Sequence, residues 1–294
     1  MQLISIGQII DKTWEHYVQH FQTLMKVSLW ALLVGALLVV RVFIAPEGAT
    51  LLLLEWLTNG LNSFAIFRLV VSGLISVIAI PAIIAWVLIM LIRVVDALMQ
   101  GKTPSLSQER QAALTRFWPY VGAMILQALV VLAPMLALVP GVTLAFYNQI
   151  KLSGVFLSAL GLILMCVGLV VATVYIIKWG LELNFTPFTV ILENLGVRQS
   201  LHSSRKLVHG RFWKTFTRVV VPQLVFGFFV IVGELLIALS GILLAVALFN
   251  LHEMIGIYGT TLLITLLGVV LRILYVPLFV IADYLVYDSL RKTR

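Results

Sequence analysis

Charge is what this chain has least of. Only 11% of its 294 residues are Asp, Glu, Lys or Arg, while 62% are hydrophobic. A soluble domain carries about 25% charged residues, so too few are present here to cover a water-facing surface. Leu69 to Ile92, Trp118 to Ile150 and Leu152 to Ile177 hold no charged residue at all. Each matches or exceeds the roughly 20 apolar residues needed to cross about 30 Å of hydrocarbon. Cysteine is nearly absent too: Cys166 stands alone in an apolar run, which excludes an internal disulfide and a cysteine-based zinc site. It is expected to be a small buried hydrophobe. The N-terminus lacks the basic opening and small-residue cleavage site of a secretory signal, so the first span is expected to stay as an anchor.

Chemical motifs are likewise missing. No Gly-x-Ser-x-Gly, Walker loop, His-Glu-x-x-His or Cys-x-x-Cys occurs. Asp11 and Glu15 share a helix face, but surface helices carry such pairs routinely. His202 and His209 lack a third ligand of the usual kind nearby. No catalytic residue, metal site or cofactor is therefore assigned.

What is present is a set of six apolar segments, placed at Leu24–Val42, Leu69–Leu98, Trp118–Leu138, Val155–Ile177, Val219–Phe249 and Ile257–Val286. The expected fold is an all-α integral membrane protein with six transmembrane helices, forming one membrane domain over residues 1–294. The net charge of +8 is distributed unevenly. Lys12, Lys26, Arg93, Lys102, Arg110 and Arg116 flank the N-terminal side and the second connection. Lys178, Arg198, Arg205, Lys206, Arg211, Lys214 and Arg218 crowd the fourth, and Arg291, Lys292 and Arg294 close the chain. Only Arg41, Arg68 and Lys151 lie near the other connections. The positive-inside rule then puts both termini in the cytoplasm. Most of the seven tryptophans (Trp14, Trp30, Trp56, Trp86, Trp118, Trp179 and Trp213) stand near span ends, as interfacial anchors do.

A faint internal repeat divides the chain at 1–100, 101–195 and 196–294. In each unit a polar amphipathic stretch meets an aromatic pivot (Phe21, Phe117 or Phe212) and then a long apolar run. The amphipathic stretches are expected to form elbow helices at the membrane surface. Ser5 with Gln8 fits a capping box, and Ile6, Ile9, Ile10, Trp14, Tyr17 and Phe21 recur at helical spacing. Gly210 suits the end of the third elbow. Pro187 should break the helix that follows the fourth span. Gly154, Ser158, Gly161, Gly168 and Ala172 form a small-residue stripe, expected to make a tight internal contact or, alternatively, a homodimer seam through Gly154, Gly161 and Gly168.

Two charges interrupt the last two spans. Glu234 and Arg272 lie equally far on either side of Glu253, near the turn, so an antiparallel hairpin puts them at one depth. Gln223 falls level with Asp283 by the same rule. These four residues are expected to form an intramembrane polar seam, either as a structural ion pair or as the lining of a polar cavity. On the cytoplasmic side, Arg205, Lys206, Arg211 and Lys214 with Trp213 are expected to meet anionic lipid headgroups, each charge contributing about 1 kcal/mol. A membrane or cytoplasmic protein partner is the alternative, and nucleic acid is not expected beside a span.

The residues Glu193-Asn194-Leu195-Gly196, Ser200-Leu201, Ser204, Leu207-Val208 and Gly210-Arg211-Phe212-Trp213 resemble the signature of a bacterial six-span family. That family includes the membrane domain associated with glycerophosphoryl diester phosphodiesterases. Tyr287-Asp288-Ser289-Leu290-Arg291 and the stretch from Ala133-Pro134 to Val139-Pro140-Gly141 are further matches. The resemblance implies a six-span helical protein of the bacterial cytoplasmic membrane, generally without an assigned activity. In fused members the phosphodiesterase chemistry sits in a separate soluble barrel. The chain closes soon after its sixth span, so that domain is not expected here. The leading expectation is a non-enzymatic protein acting through lipid or partner-protein contacts. A transporter or channel-like protein and a membrane-embedded lipid-modifying enzyme are the alternatives.

Overall fold

A computed structural model describes residues 3–44, 63–151, 154–249 and 253–293. Among them are twelve α-helices and no strand: α1 Ile6–Gln19, α2 Phe21–Ser28, α3 Leu32–Ile44, α4 Ser63–Leu74, α5 Ile80–Met99, α6 Leu106–Leu132, α7 Val139–Lys151, α8 Gly154–Leu183, α9 Thr186–Leu192, α10 Val197–Val208, α11 Phe212–Phe249 and α12 Glu253–Lys292. Short 3-10 segments, Leu29–Ala31 and Ala133–Leu138, bridge α2 to α3 and α6 to α7. A π-helical turn, Ile75–Ala79, bridges α4 to α5. Six stretches are long and apolar enough to cross a membrane: Phe21–Ile44, Ser63–Met99, Leu106–Ala145, Phe156–Leu192, Phe212–Ala247 and Gly259–Lys292. Their outward faces are apolar, with Val77, Leu136, Phe156 and Leu243 each more than two-thirds exposed. Only lipid accommodates such a surface, and the chain is an all-α multi-pass membrane protein. Trp56 and the turn into the last span lie outside the described residues.

The elbows follow local chemistry. Ser5 Oγ accepts from the Gln8 backbone N–H and the Ser5 N–H donates to Gln8 Oε1, each at 3.3 Å, closing the capping box at the start of α1. The buried face of α1 is Ile9, Thr13 and Tyr17. At the third elbow, Gly210 takes φ +74°, a left-handed conformation that ends α10 and lets Arg211 N–H reach Val208 O at 3.0 Å. The second elbow differs from expectation, because α6 runs unbroken through Arg116, Phe117 and Trp118. Pro119 removes one ladder donor, but no residue there adopts the left-handed turn that Gly210 supplies, so the helix continues.

The chain packs as two compact units, one of residues 118–216 with 289–294, the other of residues 2–117 with 217–288. In the first, α8 packs along α7 and the 3-10 segment before it. A Cβ on Gly141 would lie 2.5 Å from Met165 N, one on Gly161 would lie 3.2 Å from Ala145 N, and one on Gly168 would collide with Ala137 O. The small-residue stripe is therefore an internal helix–helix contact. At Gly161 and Gly168 the face of the alternative homodimer seam is already filled by the chain itself, and the packing at Gly154 lies outside the described residues. Cys166 is exposed and not buried as expected. At about 100° per residue it points away from the face that Gly161, Gly168 and Ala172 share.

In the second unit, α5 is the most enclosed helix, with Ile89, Leu91 and Val94 fully buried. Pro277 interrupts the α12 ladder, and in that turn the Tyr17 hydroxyl donates to Leu274 O at 3.0 Å. Arg93 pairs with Glu109 at 2.5 Å. The Tyr284 hydroxyl donates to Asp96 Oδ1 at 2.7 Å.

Gly168→Leu should lower stability in detergent by about 1–3 kcal/mol through overpacking. Gly227→Ala, where a Cβ meets nothing within 4 Å, should leave stability unchanged or raise it. Equal melting temperatures for the two variants would contradict the packing described.

Candidate functional site at the basic elbow

The basic elbow is built on hydroxyl groups. α8 ends at Leu183, leaving carbonyls without helical partners. Thr186 Oγ1 donates to Leu183 O at 2.7 Å, and Ser204 Oγ donates to Glu182 O at 2.7 Å. Pro187, in the first turn of α9, needs no N–H partner there, so the break after the fourth span falls where the sequence puts it. Asn194 takes φ +56° in the turn between α9 and α10. Thr189 Oγ1 then donates to Thr186 O at 2.9 Å and to Ser200 O at 3.2 Å, joining α9 to α10. Ser203 Oγ reaches Glu193 Oε2 at 3.3 Å. Thr186, Thr189, Ser200 and Ser204 are all fully buried. Their small side chains bring the helices close enough for these bonds to form.

With that face committed inward, α10 presents the opposite one to a cavity of about 220 Å³. Arg198, His202 and Arg205 line it together with Leu201, and Leu126, Val130 and Leu183 complete the wall. The spacing puts all three polar residues on one side of the helix. Arg205 Nε also donates to Glu182 Oε2 at 3.0 Å, which fixes its direction. Among the described residues neither Arg198 nor His202 has a hydrogen-bond or ion-pair partner for its side chain. The cavity thus joins positive charge to an apolar wall contributed by α6.

The expected headgroup residues separate into two roles. Arg211 turns inward: Nη1 donates to Thr293 Oγ1 at 2.6 Å and Nη2 to Thr293 O at 3.0 Å, tying the elbow to the C-terminal end of α12. Lys206, Lys214 and Trp213 face outward, Trp213 with 73% exposure and edge contacts to Phe212 and Phe216. Arg198 and His202 were not singled out from sequence as headgroup residues. The signal that could have found them is their i, i+4 spacing in line with Arg205 on an amphipathic helix.

The polar seam is realised in part. Gln223 Nε2 donates to Asp283 Oδ1 at 3.2 Å. Glu234 and Arg272 form no ion pair and both are exposed, which corrects the facing pair expected from sequence. They are level in depth, since a Cβ on the neighbouring Gly233 would meet Leu271 at 3.1 Å. The discrepancy is one of rotation. Gln223, Gly233 and Gly241 lie on the face of α11 that meets α12, and Glu234 is turned about 100° from it. On α12, Leu271 and Tyr275 line a groove with α11 residues, while Arg272 lines a separate cavity with α2, α3 and α5.

That groove, of about 710 Å³, is bordered by Asp11, Trp14 and Glu15 of α1 and by Phe226 and Phe229 of α11. His16 lies on the same helix. Burial of its ring holds its pKa below the ordinary 6.5, and the nearby His20 and Lys12 add to this against an opposing effect of Glu15. Among the described residues no group of three or more His, Cys, Asp and Glu could hold a metal ion. Comparisons with family models, curated proteins and solved structures match nothing to this chain.

A double-mutant cycle between Gln223 and Asp283 should give a coupling of about 0.5–1.5 kcal/mol, and one between Glu234 and Arg272 should give none. Equal couplings for the two pairs would contradict the rotation described. Because the folded state disfavours the charged His16, it binds fewer protons than the unfolded chain. The associated stability is complete above pH 6.5 and is lost as pH falls through the lower folded-state value. The melting temperature should therefore decline below pH 6.5, and His16→Gln should flatten that decline; an unchanged profile would assign it elsewhere.

Proposed function

We propose that this chain is a non-enzymatic protein of the bacterial cytoplasmic membrane, with both termini in the cytoplasm, that acts by holding anionic lipid headgroups at its basic elbow. The observation that carries this reading is the cavity in which Arg198, His202 and Arg205 stand over Leu126, Val130 and Leu183. A phosphate diester needs donors with positive charge, and its acyl chains need an apolar surface beginning one headgroup away. Arginine meets a phosphate with paired donors. Lys206, Lys214 and the exposed Trp213 add an interfacial belt around that point.

The topology rests on the Lys and Arg asymmetry of the connections, which would put this elbow against the inner leaflet. The likeness to the six-span family related to the glycerophosphoryl diester phosphodiesterase membrane domain fits the same reading. Ser200, Ser204 and Gly210, which carry that likeness, build the corner, and they bring no nucleophile or base with them.

The test is lipid mass spectrometry of protein extracted into polymer nanodiscs. Arg198→Gln with His202→Gln should reduce retained phosphatidylglycerol and cardiolipin, relative to phosphatidylethanolamine, about fivefold or more, at roughly 1 kcal/mol per charge lost. Lys206→Gln with Lys214→Gln should reduce it less. Retention unchanged in the first variant, or a protein retained in place of lipid, would overturn the reading.

A further inference from the structure

We propose that Arg272 and Ser28 form an intramembrane binding site for a small monovalent anion. Arg272 lies in the sixth span, about 20 Å along the helix from Gly259 at 1.5 Å per residue. Its guanidinium stays protonated under any condition the protein meets. A charge at this depth is costly and is ordinarily paired. Here no acidic side chain among the described residues pairs with it, and Glu234, level with it, is turned away.

What Arg272 lines instead is a cavity of about 170 Å³, walled by Ala31 and Val34, by Ile84 and Val87 of α5, and by Val269 and Ile273 of α12. The other polar group in the wall is Ser28, whose side chain is 2% exposed and whose Oγ has no hydrogen-bond partner. Two donors, one of them cationic, thus meet in a space otherwise apolar. A buried hydroxyl without a partner is costly, and so is an unpaired guanidinium. A single bound anion relieves both. Mid-span depth and the small volume exclude a phospholipid headgroup, and the single guanidinium favours a single negative charge. The remaining sources are a halide from water or the carboxylate of a fatty acid admitted from lipid. This site lies within the second unit and is independent of the lipid reading at α10.

The experiment is a thermal-shift titration of the full chain in detergent at constant sodium. Chloride and octanoate are compared with gluconate, whose hydroxyl groups the apolar wall rejects. Chloride or octanoate should raise the melting temperature by several degrees over gluconate, and which of them does so identifies the source. Arg272→Gln should abolish the shift. Ser28→Ala should raise the half-saturating concentration roughly threefold to tenfold, the loss of one neutral hydrogen bond. Should Arg272→Gln fail to fold, Ser28→Ala decides alone. Equal melting temperatures in all three salts, or a titration unchanged by Ser28→Ala, would overturn the proposal.

Discussion

Hydrocarbon cannot hydrogen-bond to a peptide group, so every place where this chain changes direction must satisfy its own backbone. The corner formed by α8, α9 and α10 shows how. Carbonyls left at the end of α8 are taken by Thr186 and Ser204, and the carbonyl of Ser200 by Thr189. Asn194 and Gly210 supply the left-handed residues that turn the chain. Once those hydroxyls are committed inward, the opposite face of α10 is set, and with it the position of Arg198 and His202. The candidate site is thus a consequence of closing a helix end near the membrane surface. Arg211, bonded to Thr293, extends the same restraint to the end of the chain.

Charge obeys a related constraint. Near the interface, basic residues have water, Glu182 and headgroups as partners. At mid-span these are absent, and the position of a charge becomes informative. Glu234 and Arg272 are level, yet they are rotated apart, each on a different side of its helix. The pairing that would have made them a register device does not form. Arg272 is directed instead to the cavity beside Ser28, where the nearby polar group is also a donor.

How much of this was legible in the sequence follows from how local each feature is. The six spans, the capping box of Ser5 and Gln8, the break at Pro187 and the turn at Gly210 depend on neighbours along the chain, and the sequence states them. Depth in the last hairpin is a matter of counting, and Gln223 meets Asp283 accordingly. Rotation about a helix axis is not local, since it depends on which faces neighbouring helices present. That is why Glu234 and Arg272 diverge, and why Cys166 faces outward. The continuity of α6 through Arg116–Trp118 has a similar origin: an aromatic pivot resembles the other two, but without a left-handed residue it does not bend the chain. The cavity at α10 needed Leu126 and Val130, distant in sequence, to give Arg198 and His202 an apolar wall.

The central claim is that an anionic lipid sits with its headgroup on Arg198 and His202 and its chain along Leu126 and Val130. Photocrosslinking with a phosphatidylglycerol carrying a photoreactive group in its acyl chain tests it most directly. The account predicts that labelled peptides include the α6 segment around Leu126 and Val130, and that cardiolipin competes while phosphatidylcholine does not. Labelling spread evenly over all six spans, or labelling of α6 that persists when Arg198 and His202 are both changed to Gln, would contradict it.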